Sequence, residues 1–269
     1  MSKSSLSVSD PLASARLKVE RASHHASALK QTIERWLEDR PYSLSIEDDA
    51  ETGENACVIH VERVPPREWS VVAGEAVHNL RSALDHAVYA LSAPQPDGKP
   101  LDGTEFPIFV DKPKFESVKR GGGLYKARGL SVEALAVVES VQPFHHGKDP
   151  TSHPLWVLQE LSNVDKHRLL YATGTVLGTG NFKLNPTGGV RIKSFKIRDA
   201  GPVKDGAKIA LWSGDLPPGS EGQVTVEGDI AYGVAFDEDG PAKGEPIQRS
   251  FDLLGPSVAS ILRMLGEAA

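Results

Sequence analysis

Along the first stretch of the chain, Leu12, Val19, Ala22, Ala26, Leu29, Ile33 and Trp36 recur at three- and four-residue steps. That spacing predicts one long amphipathic helix over residues 10–40, entered through Asp10-Pro11 as N-cap and first helical residue and stopped by Pro41. The residues before it read as a short disordered start. Tyr42 to Glu47 and Ala56 to Val64 are expected as two strands of a hairpin around the turn-rich Asp48–Asn55, with Pro65-Pro66 ending the second. A second amphipathic helix is predicted from Glu68 to Ser92. Residues 92–130 read as loop, rich in Pro and Gly, with the apolar run Phe106-Pro107-Ile108-Phe109-Val110 inside it. Two more helices are expected: Ser131 to Val141, capped by Ser131, and His153 to Leu170, with Pro154 in its first turn. Leu155, Leu158, Leu161 and Val164 or Asp165 form the apolar stripe of the latter.

Beyond Tyr171 the period changes. Residues 173–177, 181–184, 190–197, 208–212, 223–227 and 230–236 are short runs separated by Gly, Pro, Asp and Asn, the rhythm of an antiparallel sheet or sandwich. A short helix carrying Val258, Ile261, Leu262 and Leu265 is expected at the end. Segregated elements of this kind imply the α+β class: a helical bundle with a hairpin over residues 10–170, then a β-rich region over 171–269 closed by a helix.

The helix at 68–92 has an unusual polar side. At about 100° per residue, Val77, Leu80, Leu84, Ala87, Val88 and Leu91 share one face. The other holds Glu75, His78, Asn79, Arg81, Ser82, Asp85, His86 and Tyr89. A face that meets only water is usually built from Glu, Lys, Gln and Ala, which form helix well. Here hydrogen-bonding and proton-transfer groups replace them, several of them mediocre helix formers. Such a face suits a polar pocket, a subunit contact or a substrate.

Composition narrows the options. The single cysteine, Cys57, excludes an intramolecular disulfide and a cysteine-based zinc site. A net charge of −6 argues against a sequence-blind nucleic-acid binder, although a local basic patch could still hold phosphate. With no apolar run of transmembrane or signal-peptide length, a soluble cytoplasmic protein with no membrane partner is expected.

Arg81-Ser82-Ala83-Leu84-Asp85-His86 places an Arg and a His five residues apart on the polar-faced helix. The arrangement resembles the HEPN families of helical-bundle proteins, many of which cleave RNA without metal through an Arg-x4–6-His pair at a dimer interface. By that resemblance, His86 handles the ribose hydroxyl or leaving-group proton and Arg81 holds the scissile phosphate. The two residues are separated by about 140° around the helix and roughly 7.5 Å along it. A symmetric partner helix would relieve that separation, so a homodimer and RNA enter as expected partners.

A second dense stretch is Leu161-Ser162-Asn163-Val164-Asp165-Lys166-His167-Arg168. Together with the His78–His86 segment, Phe106-Pro107-Ile108 and Gln142-Pro143-Phe144, it is similar to a widespread bacterial protein group showing these stretches in the same order over residues 65–170. The resemblance brings no activity with it. Asn163, Asp165, Lys166, His167 and Arg168 are accordingly expected either to pair locally at a helix end or to stand beside the polar-faced helix. Glu75-x-x-His78 is half of a di-iron motif, but Glu160 is followed three residues later by Asn163, so the second half is missing. His78, His86, Asp85, Asp165 and His167 could hold one divalent ion, yet hydrogen bonding is the commoner fate of such groups, and no metal or cofactor is expected.

Lys112, Lys114, Lys119, Arg120, Lys126 and Arg128 surround Gly121-Gly122-Gly123. The segment lacks the Gly-Lys-Ser/Thr ending of a phosphate loop and reads as a mobile, solvated loop. His24-His25 and His145-His146 show no partner in the sequence, and Ser82 lacks the glycines of a nucleophile elbow. Trp36, Trp69 and Trp156 read as core anchors. Three readings stay open: a metal-independent HEPN-like ribonuclease or RNA-binding protein, a non-enzymatic interaction or ligand-binding protein whose polar helix face is a structural network, and, behind these two, a metal-dependent hydrolase.

Overall fold

The computed structural model describes residues 10–48, 54–93, 101–178, 183–197, 201–215, 218–219, 221–227, 231–237 and 242–269. The N-terminal start, most of the expected turn at Asp48–Asn55, part of the 92–130 loop and the first residues of the strands expected at 181 and 230 lie outside the described residues.

Helix α1, Ala13–Glu38, begins three residues after Asp10. The Asp10 carboxylate still serves its N-terminus, accepting from the Leu12 N–H at 2.9 Å and from Arg16 Nε at 2.9 Å. Strands β1, Tyr42–Asp48, and β2, Asn55–Val61, pair antiparallel with Leu44 opposite Ile59. Helix α2, Glu68–Leu91, runs through the middle of the helical part and packs on α1, on α6 (Pro154–Asp165) and on α7 (Ile247–Glu267). The segment between α2 and α6 carries two single-turn helices, α3 (Lys112–Phe115) and α4 (Gly123–Lys126), and then α5 (Val132–Ser140), whose N-terminus is capped by Ser131 as expected.

Among the described residues the strands form three antiparallel sheets. The largest runs β1-β2-β7-β5, with β7 at Ala207–Asp215 and β5 at Arg191–Ile197. The second runs β6-β3-β9, with β6 at Gly201–Pro202, β3 at Ala172–Gly178 and β9 at Ala231–Phe236. The third pairs β4, Lys183–Pro186, with β8, Val224–Glu227. The class is α+β.

Packing crosses the compositional border at residue 170. The hairpin joins the late strands, since β2 pairs with β7 and Cys57 lies opposite Ala210. The terminal helix returns to the early helices. It is also longer than expected, because Gly255-Pro256 reads as a breaker while the stripe Ile247, Phe251, Leu254, Val258, Ile261, Leu262 and Leu265 continues through it. Proline in a helix interior costs about 3 kcal/mol, and each large apolar side chain buried returns about 1.5–3 kcal/mol, so the stripe outweighs the break.

Two apolar cores result. One gathers α1, α2, α6 and α7 with Phe106 and Phe115. The other gathers Cys57, Ile59, Ile209 and Trp212 from the large sheet with Val176 and Tyr232 from the second. Trp36 touches both and meets Trp69 edge-on at 5.5 Å.

Candidate functional site

The polar face of α2 divides into two. Buried residues cover about half the helix circumference, and Arg81 and Gly74 lie inside that arc although the sequence pattern put Arg81 with the wet residues. Arg81 is only 6% exposed. Its guanidinium donates from Nε to Gln159 Oε1 at 3.0 Å, from Nη1 to Asp85 Oδ1 at 2.6 Å and from Nη2 to the Phe106 carbonyl at 2.9 Å, with Glu105 Oε2 at 3.8 Å. Asp85 Oδ1 in turn accepts the Phe106 N–H at 2.9 Å. One Arg–Asp pair, a turn apart on α2, therefore brackets both backbone polar groups of a single residue, Phe106. Burial pushes the Asp85 carboxyl above its ordinary range, and the adjacent Arg81 charge opposes that shift.

The same loop is held on its other side by Gln142. Its Oε1 accepts the Phe109 N–H at 3.0 Å, and its Nε2 donates to the carbonyls of Pro107 at 2.8 Å and Val138 at 2.9 Å. Gln142 is 1% exposed, so an unpaired amide there would be expensive. The apolar 106–110 run carries backbone groups into the core and needs foreign partners for them. Arg81, Asp85 and Gln142 are those partners. Residues from three separate stretches, 78–86, 106–110 and 142–144, are thus parts of one clamp.

Asp165 closes the seam further along. It ends α6 against Gly74, where an added Cβ would meet Asp165 Oδ1 at 2.0 Å. Burial raises its pKa, with the Glu75 charge raising it further and the neighbouring His78 lowering it. Glu75 also pairs with His25 at 3.3 Å, so that histidine has a partner which sequence reading did not find. Asn79 donates to the Glu75 carbonyl at 2.8 Å, within its own helix.

His86 faces elsewhere. Its Nδ1 lies 2.8 Å from Ser14 Oγ on α1, on the outer side of the bundle. The Arg81–His86 pair expected to work together thus sits on two different faces, and Arg81 has already committed all three nitrogens. Bringing a partner chain's His86 near Arg81 would not release them. Of the remaining predicted residues, Asn163 and Lys166 share a cleft with Arg81 and Asp85, while exposed His167 and Arg168 follow the end of α6. The hydrophilic groups of α2 and of residues 163–168 form a buried clamp, an α1-facing edge and an exposed helix end.

That cleft, about 350 Å³, lies between α2, α6 and the 105–126 segment. Arg81, Asp85, the aromatic Trp156 and Phe109, and Lys114, Lys126 and Lys166 all line it. Lys126 is tied to Glu105 at 2.8 Å and lies over the Phe109 ring at 5.6 Å. A hydrogen-bonded chain runs outward from Arg81 through Gln159 to Asn163 Oδ1 at 3.0 Å and from Asn163 to Glu160 Oε1 at 3.3 Å. Trp156 is half-buried, packed on the core with one part of its surface in this cleft.

The glycine-rich stretch is packed rather than a free solvated loop. A Cβ on Gly122 would meet the Ser117 carbonyl at 2.2 Å, and one on Gly123 the Phe115 carbonyl at 2.6 Å. Its glycines permit close backbone approach beside the cleft. Lys112 pairs with Glu116 and Glu139, and Arg128 stacks on Tyr125 at 4.0 Å while donating to the Tyr125 and Asp102 carbonyls.

Gln142, Gln159, Glu105 and Trp156 are the residues whose role here the sequence reading missed. A lone glutamine before Pro143 carries no periodic signal. Only the need to satisfy the Phe106–Val110 backbone could have pointed to it. Among the described residues no cluster of three or more His, Cys, Asp or Glu could hold a metal ion, and no helix is long and apolar enough to cross a membrane. Comparison of the chain with protein-family models, curated proteins and solved structures found no match in any of the three.

Proposed function

We propose that this protein is a non-enzymatic binding protein, in which the polar face of α2 is a structural clamp that shapes a ligand cleft against α6. The observation carrying this reading is the state of Arg81: buried, with Nε, Nη1 and Nη2 each donating to an acceptor within the chain. A phosphate-holding arginine turns a bidentate edge to its substrate, whereas each nitrogen of Arg81 already holds an acceptor within the chain and only the second hydrogens of Nη1 and Nη2 remain. Recruiting Arg81 would strip the Phe106 peptide and Asp85 of their partner at the cost of a broken buried pair, about 3–5 kcal/mol.

The test sets stability against cleavage. Purified protein incubated with single-stranded RNA in EDTA is expected to leave it intact. Arg81→Met is expected to lower the unfolding free energy by about 3–5 kcal/mol. His86→Ala, which loses one exposed contact to Ser14, is expected to shift it by less than about 1 kcal/mol. Metal-independent RNA cleavage by the wild type that disappears in His86→Ala would overturn the reading.

A further inference from the structure

The charges lining the cleft are unevenly committed. Glu105 is held by Lys126 at 2.8 Å and Asp85 by Arg81 at 2.6 Å. Asp111 caps α3 by accepting the Lys114 N–H at 2.8 Å, and Glu160 accepts from Asn163. Among the described residues, the ammonium groups of Lys114 and Lys166 have neither an ion pair nor a hydrogen bond. They approach the cleft from two different elements, α3 and the end of α6, and share it with the Trp156 and Phe109 rings.

Resting on the binding-protein reading above, we infer that this cleft takes a small aromatic phosphate monoester, with Lys114 and Lys166 on the phosphate and Trp156 with Phe109 against the ring. Two lysines without an ion pair can both turn to a phosphate monoester, which carries about −1.5 to −2 at pH 7 and so draws them more strongly than a carboxylate carrying about −1, against the Asp111 and Glu160 carboxylates that share the lining. Lysine suits this task as a mobile point charge that needs no fixed fork geometry. The aromatic walls give a flat apolar body somewhere to bury, and their edges and faces prefer stacked or edge-on rings. The volume of about 350 Å³ lies at the small end of ligand sites, enough for one ring and its phosphate and too small for a dinucleotide. The Arg81–Asp85 clamp in its lining is already fixed by hydrogen bonds, so little ordering opposes binding.

The experiment is a tryptophan-fluorescence titration of the full chain with phenyl phosphate, run beside inorganic phosphate, benzoate and phenol. Phenyl phosphate is expected to saturate the response at the lowest concentration of the four. Lys114→Met and Lys166→Met are each expected to weaken it about tenfold with the melting temperature unchanged, and the double variant to abolish it. Trp156→Phe should remove most of the fluorescence change. No saturable phenyl phosphate signal at millimolar concentration overturns the assignment, as does equal binding by both lysine variants. Inorganic phosphate binding as tightly overturns the aromatic half, and benzoate binding as tightly overturns the dianion. The lysine variants leave the Arg81 clamp untouched, so a failed titration discards this ligand, whereas RNA cleavage lost with His86 discards the binding-protein reading itself.

Discussion

The two buried interiors of this protein treat polar atoms in opposite ways. In the helical seam, Arg81 and Gln142 have every side-chain nitrogen that the structure describes directed at an acceptor, and Asp85 Oδ1 takes two donors. In and beside the β core, Thr175 Oγ1, Trp212 Nε1 and Tyr232 OH are buried with no hydrogen-bond partner among the described residues. Thr175 and Trp212 are 0% exposed, so the contrast is one of pairing and not of burial. The seam uses polarity to fix position, because a displaced Phe106 peptide would leave several groups unpaired at once. The β core uses shape. Tyr232 packs its ring 4.7 Å from Tyr42 and sets its hydroxyl against Gly174, where a Cβ would meet it at 1.8 Å. Burial there pushes the Tyr232 phenol up to about 12, with Tyr42 adding to the shift.

The largest effect should come from unbalancing the seam. Asp85→Asn keeps the shape and an acceptor for Phe106 but leaves the buried Arg81 with only the more distant Glu105, 3.8 Å from Nη2, as counter-ion. Chemical denaturation is expected to show a loss of about 3–5 kcal/mol, and an apolar double replacement, Arg81→Met with Asp85→Leu, to recover little of it, because the Phe106 N–H and carbonyl lose both partners. A loss under about 1 kcal/mol in Asp85→Asn would mean that the seam is no more position-determining than the β core.

Gly74→Ala attacks the same seam through volume. The new methyl would meet Asp165 Oδ1 at 2.0 Å, while the helix itself gains from alanine. Overpacking of this kind costs about 1–3 kcal/mol. The loss should shrink in Gly74→Ala with Asp165→Ala, where the obstructing carboxylate is gone; an unrelieved double variant would show that the two helices are spaced by something other than this contact.

The helices and most strands were legible because their apolar periods are long and clean, as in α1 and the Leu155-Leu158-Leu161 stripe of α6. The polar face of α2 was legible as unusual chemistry. Its division was not, since helical angle alone puts Arg81 and Asp85 near the border of the buried arc and cannot tell which neighbour receives them. That depends on the Phe106 backbone, 25 residues away from Arg81 in sequence, and on Gln159, 78 residues away. The length of α7 was hidden by Gly255-Pro256, a local signal overruled by tertiary burial. The joining of the hairpin to β7 was hidden because a pairing such as Cys57 with Ala210, far apart in sequence, leaves no periodic trace.

A smaller effect separates the seam's helix α6 from the rest of the molecule by pH. His153 caps α6 by accepting the Leu155 N–H on Nδ1 at 3.2 Å, which requires the unprotonated nitrogen. Burial lowers its pKa from the ordinary 6.5, and His146, with its ring 5.3 Å away, lowers it further. The unfolded chain thus binds the proton first as pH falls. The stability His153 contributes is complete above pH 6.5 and is lost as pH drops from there through the folded-state value. His153→Asn, which retains a cap acceptor without titrating, should flatten this part of the stability–pH curve by about 1 kcal/mol. A curve identical to the wild type's would remove His153 from the account.

The smallest expected change is the one that sharpens the comparison most. Thr175→Val replaces a hydroxyl by a methyl of nearly the same shape, and Tyr232→Phe deletes one oxygen from a ring held by its neighbours. In a paired site, either substitution would strand a partner and cost about 1–3 kcal/mol. In this core no described group is left behind, and each variant is also relieved of a buried polar atom. Both should therefore unfold within about 1 kcal/mol of the wild type, on the stabilising side, in the same denaturation assay that registers Asp85→Asn. Tyr232→Phe additionally frees the space above Gly174, so Gly174→Ala should be tolerated better in that background than alone, and the coupling measured by the double-mutant cycle should be favourable. A loss of several kcal/mol in Thr175→Val would show that its hydroxyl is anchored after all, and the β core would then obey the same rule as the seam.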